Sequence, residues 1–346
     1  MYTNFIVYIC KVYRVNYVWV FTISAIVFLG CSEGLETVEE QENKPSIIRI
    51  GNEANVNVNL EGPMLFLMGK GSPDTEAFDH FMVDLSREGV GDVVVIAASF
   101  ASDQSRTPEC DTLIELASVN SCTTITIRSV KEANNPDLVQ VIGSAGAVYF
   151  AGGNQCNYMK WRGTELMDAV TSLHGRGGGV GGGSAGLAIQ GEWVYDGCTG
   201  SIRSDEALEN PYDSFMSLSE GVFSWPVLSG WITDSHFSER DRLGRLIAFQ
   251  ARIMQAEQSD SWLGIGLDDD SAVVVSNSGI TTVYGADSYV VKTTQPAKTL
   301  VQGTPLTIQG VKVYRLGPGS QFQMDDFDLD DEPEIYSVEE GVLQNE

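Results

Sequence analysis

Three short apolar runs constrain this chain more than any other feature. They read MLFLM at 64–68, DVVVIAA at 92–98 and GAVYF at 146–150. A strand that is apolar on both faces must be covered on both faces, which is the mark of a parallel sheet wrapped by helices. The intervening segments supply the helices. Residues 74–87 place Phe78, Phe81, Met82 and Leu85 at helical spacing, and 110–118, 137–142 and 158–173 read as helices too. A further strand is expected at 122–127, and a Gly-rich strand end at 179–181. The expected class is α/β, a mostly parallel sheet flanked by helices. From residue 263 the pattern changes. Runs 271–276, 280–284, 288–293, 300–308 and 311–316 are short, β-rich and separated by turn residues, and read as an antiparallel extension of the same domain. The segment 325–346 carries ten acidic residues and few large apolar ones, so it reads as a disordered, solvated tail.

Charge excludes several functions. With 47 Asp plus Glu against 21 Lys plus Arg, the formal net charge is −26. Nucleic-acid binding by bulk charge needs the opposite balance, as does adhesion to an anionic membrane through a basic patch. The N-terminus reads as a leader. Lys11 and Arg14 precede sixteen uncharged residues, Val15 to Gly30, and Cys31 follows. A basic region, an apolar core and a small residue before the cut make a secretory signal over 1–30. The run FLGC at 28–31 resembles a bacterial lipobox, which marks Cys31 for lipidation, although Phe28 and Leu29 depart from the usual residues. Residues 31–61 then form a tether and N-terminal segment, and 62–324 the folded domain. An uncleaved anchor helix is the alternative, somewhat short for a span. Either way the expected location is the cell envelope or outside it, with membrane contact only through the N-terminal lipid or anchor. Cys110, Cys122, Cys156 and Cys198 remain for the mature chain. An oxidising compartment permits two disulfides in any of three pairings, and free thiols are equally compatible. No cysteine or histidine cluster has zinc spacing, and no metal or other cofactor is expected.

Chemistry-bearing residues fall in three loops. Gly182-Gly183-Ser184-Ala185-Gly186 fits G-x-S-x-G, between an expected strand and the apolar segment 187–189. Such an elbow presents the serine oxygen above a strand end, where backbone N–H groups can hold developing negative charge. A Gly-rich turn with an idle serine is the plainer alternative. A serine nucleophile needs a base. Of three histidines, His80 and His174 lie in helical segments and read as surface or capping residues. His236 instead follows an expected strand at 227–232 and precedes Arg240, Arg242 and Arg245. In open α/β folds ligands bind at the carboxyl ends of strands. Another apolar run ends in Asp268-Asp269-Asp270, which offers a carboxylate to fix the histidine tautomer.

Four motifs then point to a family. VYFAGGNQ (148–155), GGGSAG (181–186), DSHFSERDRLGRL (234–246) and GIGLDDDSAVVV (264–275) occur in the order and spacing of cyanophycinases. Over residues 62–316 the chain resembles the cyanophycinase and aspartyl dipeptidase (dipeptidase E) family of serine peptidases. The resemblance implies a flavodoxin-like, class I glutamine amidotransferase-like fold and catalysis by Ser184, His236 and an acid. The family has Glu where this chain has Asp269, and Asp268 is the alternative acid. Gly153 and Ala185 would supply the oxyanion hole. Gln155, Arg242 and Arg245 match substrate-binding positions, Arg242 more strongly because Arg245 also suits a structural ion pair. Asn154 and Ser235 depart from the family's Asp and Gln. The expected function is an exported serine peptidase that cleaves an aspartyl-linked peptide bond, α or β, in a peptide or dipeptide polymer. A catalytically silent surface lipoprotein with the same fold is the alternative. Homodimerisation is left open.

Overall fold

The computed structural model describes residues 44–98, 106–329 and 332–346. All belong to the unit Asn43–Glu346. The leader 1–30 and Cys31 lie outside the described residues.

The strands form two sheets. The first runs, in spatial order, β1 (Ser46–Gly51), β4 (Val119–Ile127), β3 (Gly91–Ala98), β5 (Ala147–Phe150), β6 (Gly179–Gly183), β2 (Met64–Met68), β11 (Ser271–Val275), β12 (Ile280–Gly285) and β15 (Gln321–Gln323). From β4 to β2 every pairing is parallel, and β1 and β11 add antiparallel neighbours at either side. The second sheet runs β17 (Val342–Asn345), β16 (Glu334–Glu339), β14 (Ile308–Leu316), β13 (Ser288–Thr293), β10 (Trp262–Leu267), β9 (Trp231–Ser235), β7 (Trp193–Tyr195) and β8 (Leu218–Glu220). Here only β9 pairs in parallel, with β10 and β7. The class is α/β with parallel strands and a β-rich C-terminal region, as the sequence implies. The C-terminal runs are shared out, however: β11 and β12 extend the first sheet, whereas β13 and β14 extend the second.

The two-residue period of a strand explains how these sheets are buried. Leu65 and Leu67 of β2 face a central core, and Met64, Phe66 and Met68 face an outer one. Val94 and Ile96 of β3 and Val148 and Phe150 of β5 join the central core; Val93, Val95, Ala147 and Tyr149 join the outer core. The second sheet behaves alike. Ile265, Leu267 and Val290 point to the central core, while Ile232, Val291 and Val311 face a third core under the helix Leu243–Glu257. The two sheets therefore meet across one apolar layer, and each has a further layer behind it.

Local signals place the helices. Asp74 accepts from the N–H of Ala77 at 2.9 Å and caps the helix Thr75–Leu85, which buries Phe78, Phe81, Met82 and Leu85. The single helix expected over 158–173 is two. Asn154 caps Gln155–Met159, and a second helix, Glu165–Gly175, starts after Gly163, whose φ of +72° breaks the run. The expected strand 300–308 is irregular apart from one bridge, Thr299 to Thr307, and β14 begins at Ile308.

Two boundaries need correction. The folded domain starts before residue 62: β1 pairs with β4 from Ser46 onward. Buried Asp92 fastens β1 and the residues after it, accepting from Arg49 at 3.2 Å and from the N–H of Val56 at 2.8 Å. The segment 325–346 is not a disordered tail. β16 and β17 close the second sheet, with Val338 fully buried in its core. The acidic residues misled because strand alternation lets Glu339 stay exposed while Val338 points inward, and Glu334 is exposed at the first position of the strand. Deleting 334–346 strips the edge from β14 and opens the third core. It should lower the melting temperature by about 5 °C or more, read by calorimetry; an unchanged value would restore the tail reading.

Candidate active site

Three strand ends converge. Ser184 follows β6 of the first sheet directly, and its N–H donates to the carbonyl of Met68 at the end of β2 (3.1 Å). Its φ is +52° and ψ is −106°, a conformation that costs a non-glycine residue about 1–3 kcal/mol. The flanking glycines make the turn sterically feasible. A Cβ on Gly182 would lie 2.7 Å from the Gly186 backbone, and one on Gly186 would lie 2.0 Å from the carbonyl oxygen of Phe150. The strand-turn-helix elbow is thus present, with the short helix Ala185–Ala188 behind it.

The other two ends belong to the second sheet. β9 and β10 are parallel neighbours, and Ser235 lies opposite Leu267. Their next residues therefore emerge side by side: His236 from one, Asp268-Asp269-Asp270 from the other. The strand before His236 is Trp231–Ser235, four residues later than the sequence suggests, because Pro226–Leu228 forms a helical turn instead.

The polar contacts form a chain. The Ser184 hydroxyl lies 2.8 Å from His236 Nε2, and His236 Nδ1 is hydrogen-bonded to Asp269 Oδ1. A carboxylate on Nδ1 selects the tautomer that leaves the Nε2 lone pair for the serine proton. The choice between the aspartates is made by position. Asp268 accepts from the N–H of Ser238 (2.7 Å), and Asp270 pairs with Lys70, so Asp269 alone meets the ring. Glu239 holds Asp269 in turn, accepting its backbone N–H at 2.8 Å. Burial pushes the His236 pKa below its usual value. Asp269 opposes this through its hydrogen bond, whereas Arg240 and Arg242 add to it.

A cavity of about 370 Å³ opens over Ser184 and His236, and Gly153, Ala185, Gln155 and Arg242 line it. A Cβ on Gly152 would come within 3.7 Å of Ser184 Cβ, so the loop after β5 passes directly beside the serine. The arginines divide. Arg245 is buried; its Nε and Nη2 grip both oxygens of buried Asp234, and Nη1 donates to the carbonyl of Ile202. Its guanidinium also lies 5.1 Å from the Tyr195 ring. Each guanidinium nitrogen is thus bonded to the protein, which replaces the expected substrate clamp with the structural ion pair, although Arg245 still borders the cavity. Arg242 donates through Nη1 to the carbonyl of Ser235 at 2.6 Å, and among the described residues its Nη2 has no hydrogen-bond partner. Burial lowers its pKa to about 10, still charged at neutral pH. Gln155 is part engaged: its Nε2 donates to the carbonyl of Tyr195 at 3.0 Å. His174 is neither surface nor cap. It is buried 4.2 Å from the Trp225 ring, and burial lowers its pKa to about 4.

Sequence reasoning missed Glu239, Asp234 and the wall at 195–201. Asp234 was findable, since an acidic residue inside an apolar strand two positions before a histidine demands a buried partner. A pH titration of the imidazole by NMR should place the His236 pKa below 6.5. Asp269→Asn removes an influence that raises it, so that variant should titrate lower still. A wild-type value above 6.5 would contradict the burial argument.

No family model matches the chain. Among curated proteins it is 26% identical over 208 residues to a cyanophycinase from Nostoc sp., which covers 57% of this chain and 63% of that one. It is 25% identical over 206 residues to a cyanophycinase from Synechococcus elongatus, covering 56% and 57%. The match thus spans less than two thirds of these relatives' length. Among solved structures, a peptidase from an acI-B1 Actinobacterium superposes with a TM-score of 0.50 at 16% identity, over 75% of this chain and 96% of that one, and so shares its fold. Over the matched residues, then, the chain is similar in sequence to cyanophycinases, and it shares the fold of a solved peptidase.

Proposed function

We propose that this protein is an exported serine peptidase that cleaves an aspartyl-linked peptide bond, α or β, through an acyl-enzyme. The observation that carries the reading is the unbroken hydrogen-bond chain from Ser184 through His236 to Asp269 at a cavity holding the Arg242 cation. The relatives named as cyanophycinases and the peptidase fold support the same reaction class.

Each residue then has a role. Ser184 Oγ attacks the carbonyl carbon while His236 Nε2 takes its proton. Asp269 orients the ring and stabilises the imidazolium. The N–H groups of Gly153 and Ala185 receive the oxyanion. As the intermediate collapses, His236 returns the proton to the leaving amine, and water repeats the sequence on the ester. Arg242 takes a substrate carboxylate. A fixed cation inside a protein of net charge −26 suits one carboxylate better than a polyanion. Asp269 is one methylene shorter than glutamate, and Glu239 on its backbone compensates by fixing where that backbone sits.

Export rests on the leader at 1–30, on Cys31 as lipidation site, and on two disulfides, Cys110–Cys122 and Cys156–Cys198, of a kind that persists in oxidising compartments. Incorporation of a fatty-acid analogue into wild type and not into Cys31→Ala is the expected outcome; equal labelling would rule out that anchor.

Turnover should be read on a panel of α-aspartyl, β-aspartyl, glutamyl and neutral dipeptides. Ser184→Ala and His236→Ala should each lower kcat by about three to six orders of magnitude with little change in melting temperature. Because neutral His236 is the base, kcat/KM should rise with pH through a value below 6.5 and be flat at neutrality. Arg242→Lys should reduce kcat/KM on aspartyl substrates. Preference for a neutral first residue, or wild-type turnover by Ser184→Ala, sinks the reading.

A further inference from the structure

The cavity has two walls of different make. One is the loop after β5, Gly152 to Gln155, which is continuous with the first sheet. The other is the segment 196–201, which follows β7 and reaches the helix Ser204–Glu209. This second wall is weakly built. Cys198, Thr199, Gly200 and Ser201 are exposed. Gly197 and Gly200 have φ of +60° and +144°, conformations open to few other residues, so the unrestrained segment has many alternatives. Its exposed part is held by bonds within the turn, Tyr195 Oη donating to the carbonyl of Gly200 (3.0 Å) and Asp196 accepting from the N–H of Cys198 (2.8 Å), while its root at Asp196 donates to the carbonyl of Ser217 (3.1 Å) and accepts from the Ser219 hydroxyl (2.6 Å). These shape the turn without fixing its distance from the opposite wall.

Among the described residues, two links cross to that wall. Gln155 Nε2 bonds the carbonyl of Tyr195, at the root of the segment. The disulfide Cys156–Cys198 joins its exposed part, with Cα atoms 4.9 Å apart. Cys156 sits three residues after Gly153, in the helix that Asn154 caps. The bridge therefore ties the outer wall covalently to the loop beside Ser184.

We propose that the Cys156–Cys198 disulfide is a positioning element for peptide binding: it sets the width of the cavity between 196–201 and the Gly153 loop. The proposal rests on the peptidase reading above. Without the bridge, the glycine-containing segment must be ordered by the substrate, and that entropy weakens binding. Ser184, His236 and Asp269 are held by β6, β9 and β10, so reaction with a small reagent is untouched. The second bridge supplies a control. Cys110 and Cys122 are both fully buried, join the helix Pro108–Leu113 to β4, and are not among the residues lining the cavity. Removing either bridge costs stability by loosening a closed loop, of 42 residues in one case and 12 in the other. Only one should change binding.

The experiment compares C156S/C198S with C110S/C122S and wild type, using the best peptide of the panel and a fluorophosphonate reagent. In C156S/C198S, KM should rise about tenfold, with kcat within about twofold and the labelling rate of Ser184 unchanged. In C110S/C122S, the melting temperature should fall while KM stays at the wild-type value. Unchanged KM in C156S/C198S, or the same rise in both variants, overturns the proposal. A wild type that neither labels nor cleaves overturns the peptidase reading and this inference with it; a labelled Ser184 with unchanged KM overturns the inference alone. Should C156S/C198S fail to fold, native reduction gives the same comparison, because Cys198 is exposed and the other bridge is buried. The two thiols of dithiothreitol close to a disulfide, and their two electrons and two protons leave Cys156 and Cys198 as thiols. Mass analysis after alkylation of an aliquot identifies the opened bridge. KM should rise as in the double variant, and an unchanged KM overturns the proposal.

Discussion

The apolar layer between the two sheets fixes the separation of Ser184 from His236, and the site depends on that separation. The serine is delivered by β6 of one sheet, the histidine by β9 of the other. Neither sheet alone contains both. Leu65, Leu67 and Phe150 from the first sheet and Trp231, Ile265 and Leu267 from the second share this layer, all at 1% exposure or less. Interiors are packed close to crystalline density, so a layer filled this way resists small displacements. A 2.8 Å contact between residues 52 apart in sequence is held by such packing far more than by its own hydrogen bond, whose net worth is about 1 kcal/mol.

Below this level the site is organised by where charge is neutralised. The protein is strongly acidic, yet the cavity draws on three arginines, Arg240, Arg242 and Arg245. Asp234 takes two nitrogens of Arg245, and the carbonyl of Ile202 takes the third. Two buried charges of opposite sign, with the guanidinium over the Tyr195 ring, make a support that an isolated buried charge never could. Arg242 borrows only part of that carboxylate, at 3.4 Å, and keeps donors toward the cavity. The three consecutive aspartates are likewise separated in role by the turn after β10: one holds the Ser238 backbone, one meets His236, one pairs with Lys70. Spacing of one residue along an irregular turn is enough to send neighbouring side chains in different directions.

Much was legible from local pattern. The runs at 64–68, 92–98 and 146–150 are β2, β3 and β5, because an unbroken apolar run has one cheap solution, burial on both faces. The helix Thr75–Leu85 was legible from its apolar spacing and its Asp74 cap. Ser184 was found because two glycines around a serine answer a steric need that is itself local. His236 was found by its place after a strand. The errors have physical reasons as well. At 158–173 apolar periodicity continued across Gly163, where the backbone reversed. At 325–346 composition suggested a tail, although alternation at Val338 was enough to seat a strand.

What the sequence determined by itself is each element that short-range physics decides: strand runs, capped helices, the strained elbow and the candidate serine, histidine and acidic cluster. Only the tertiary structure decided that the strands divide between two sheets, that Asp269 and not Asp268 meets the histidine, that Arg245 is spent on Asp234, and that Cys156 pairs with Cys198. These are pairings across long separations in the chain. Their energies depend on distances that packing sets, and no local window of sequence contains those distances.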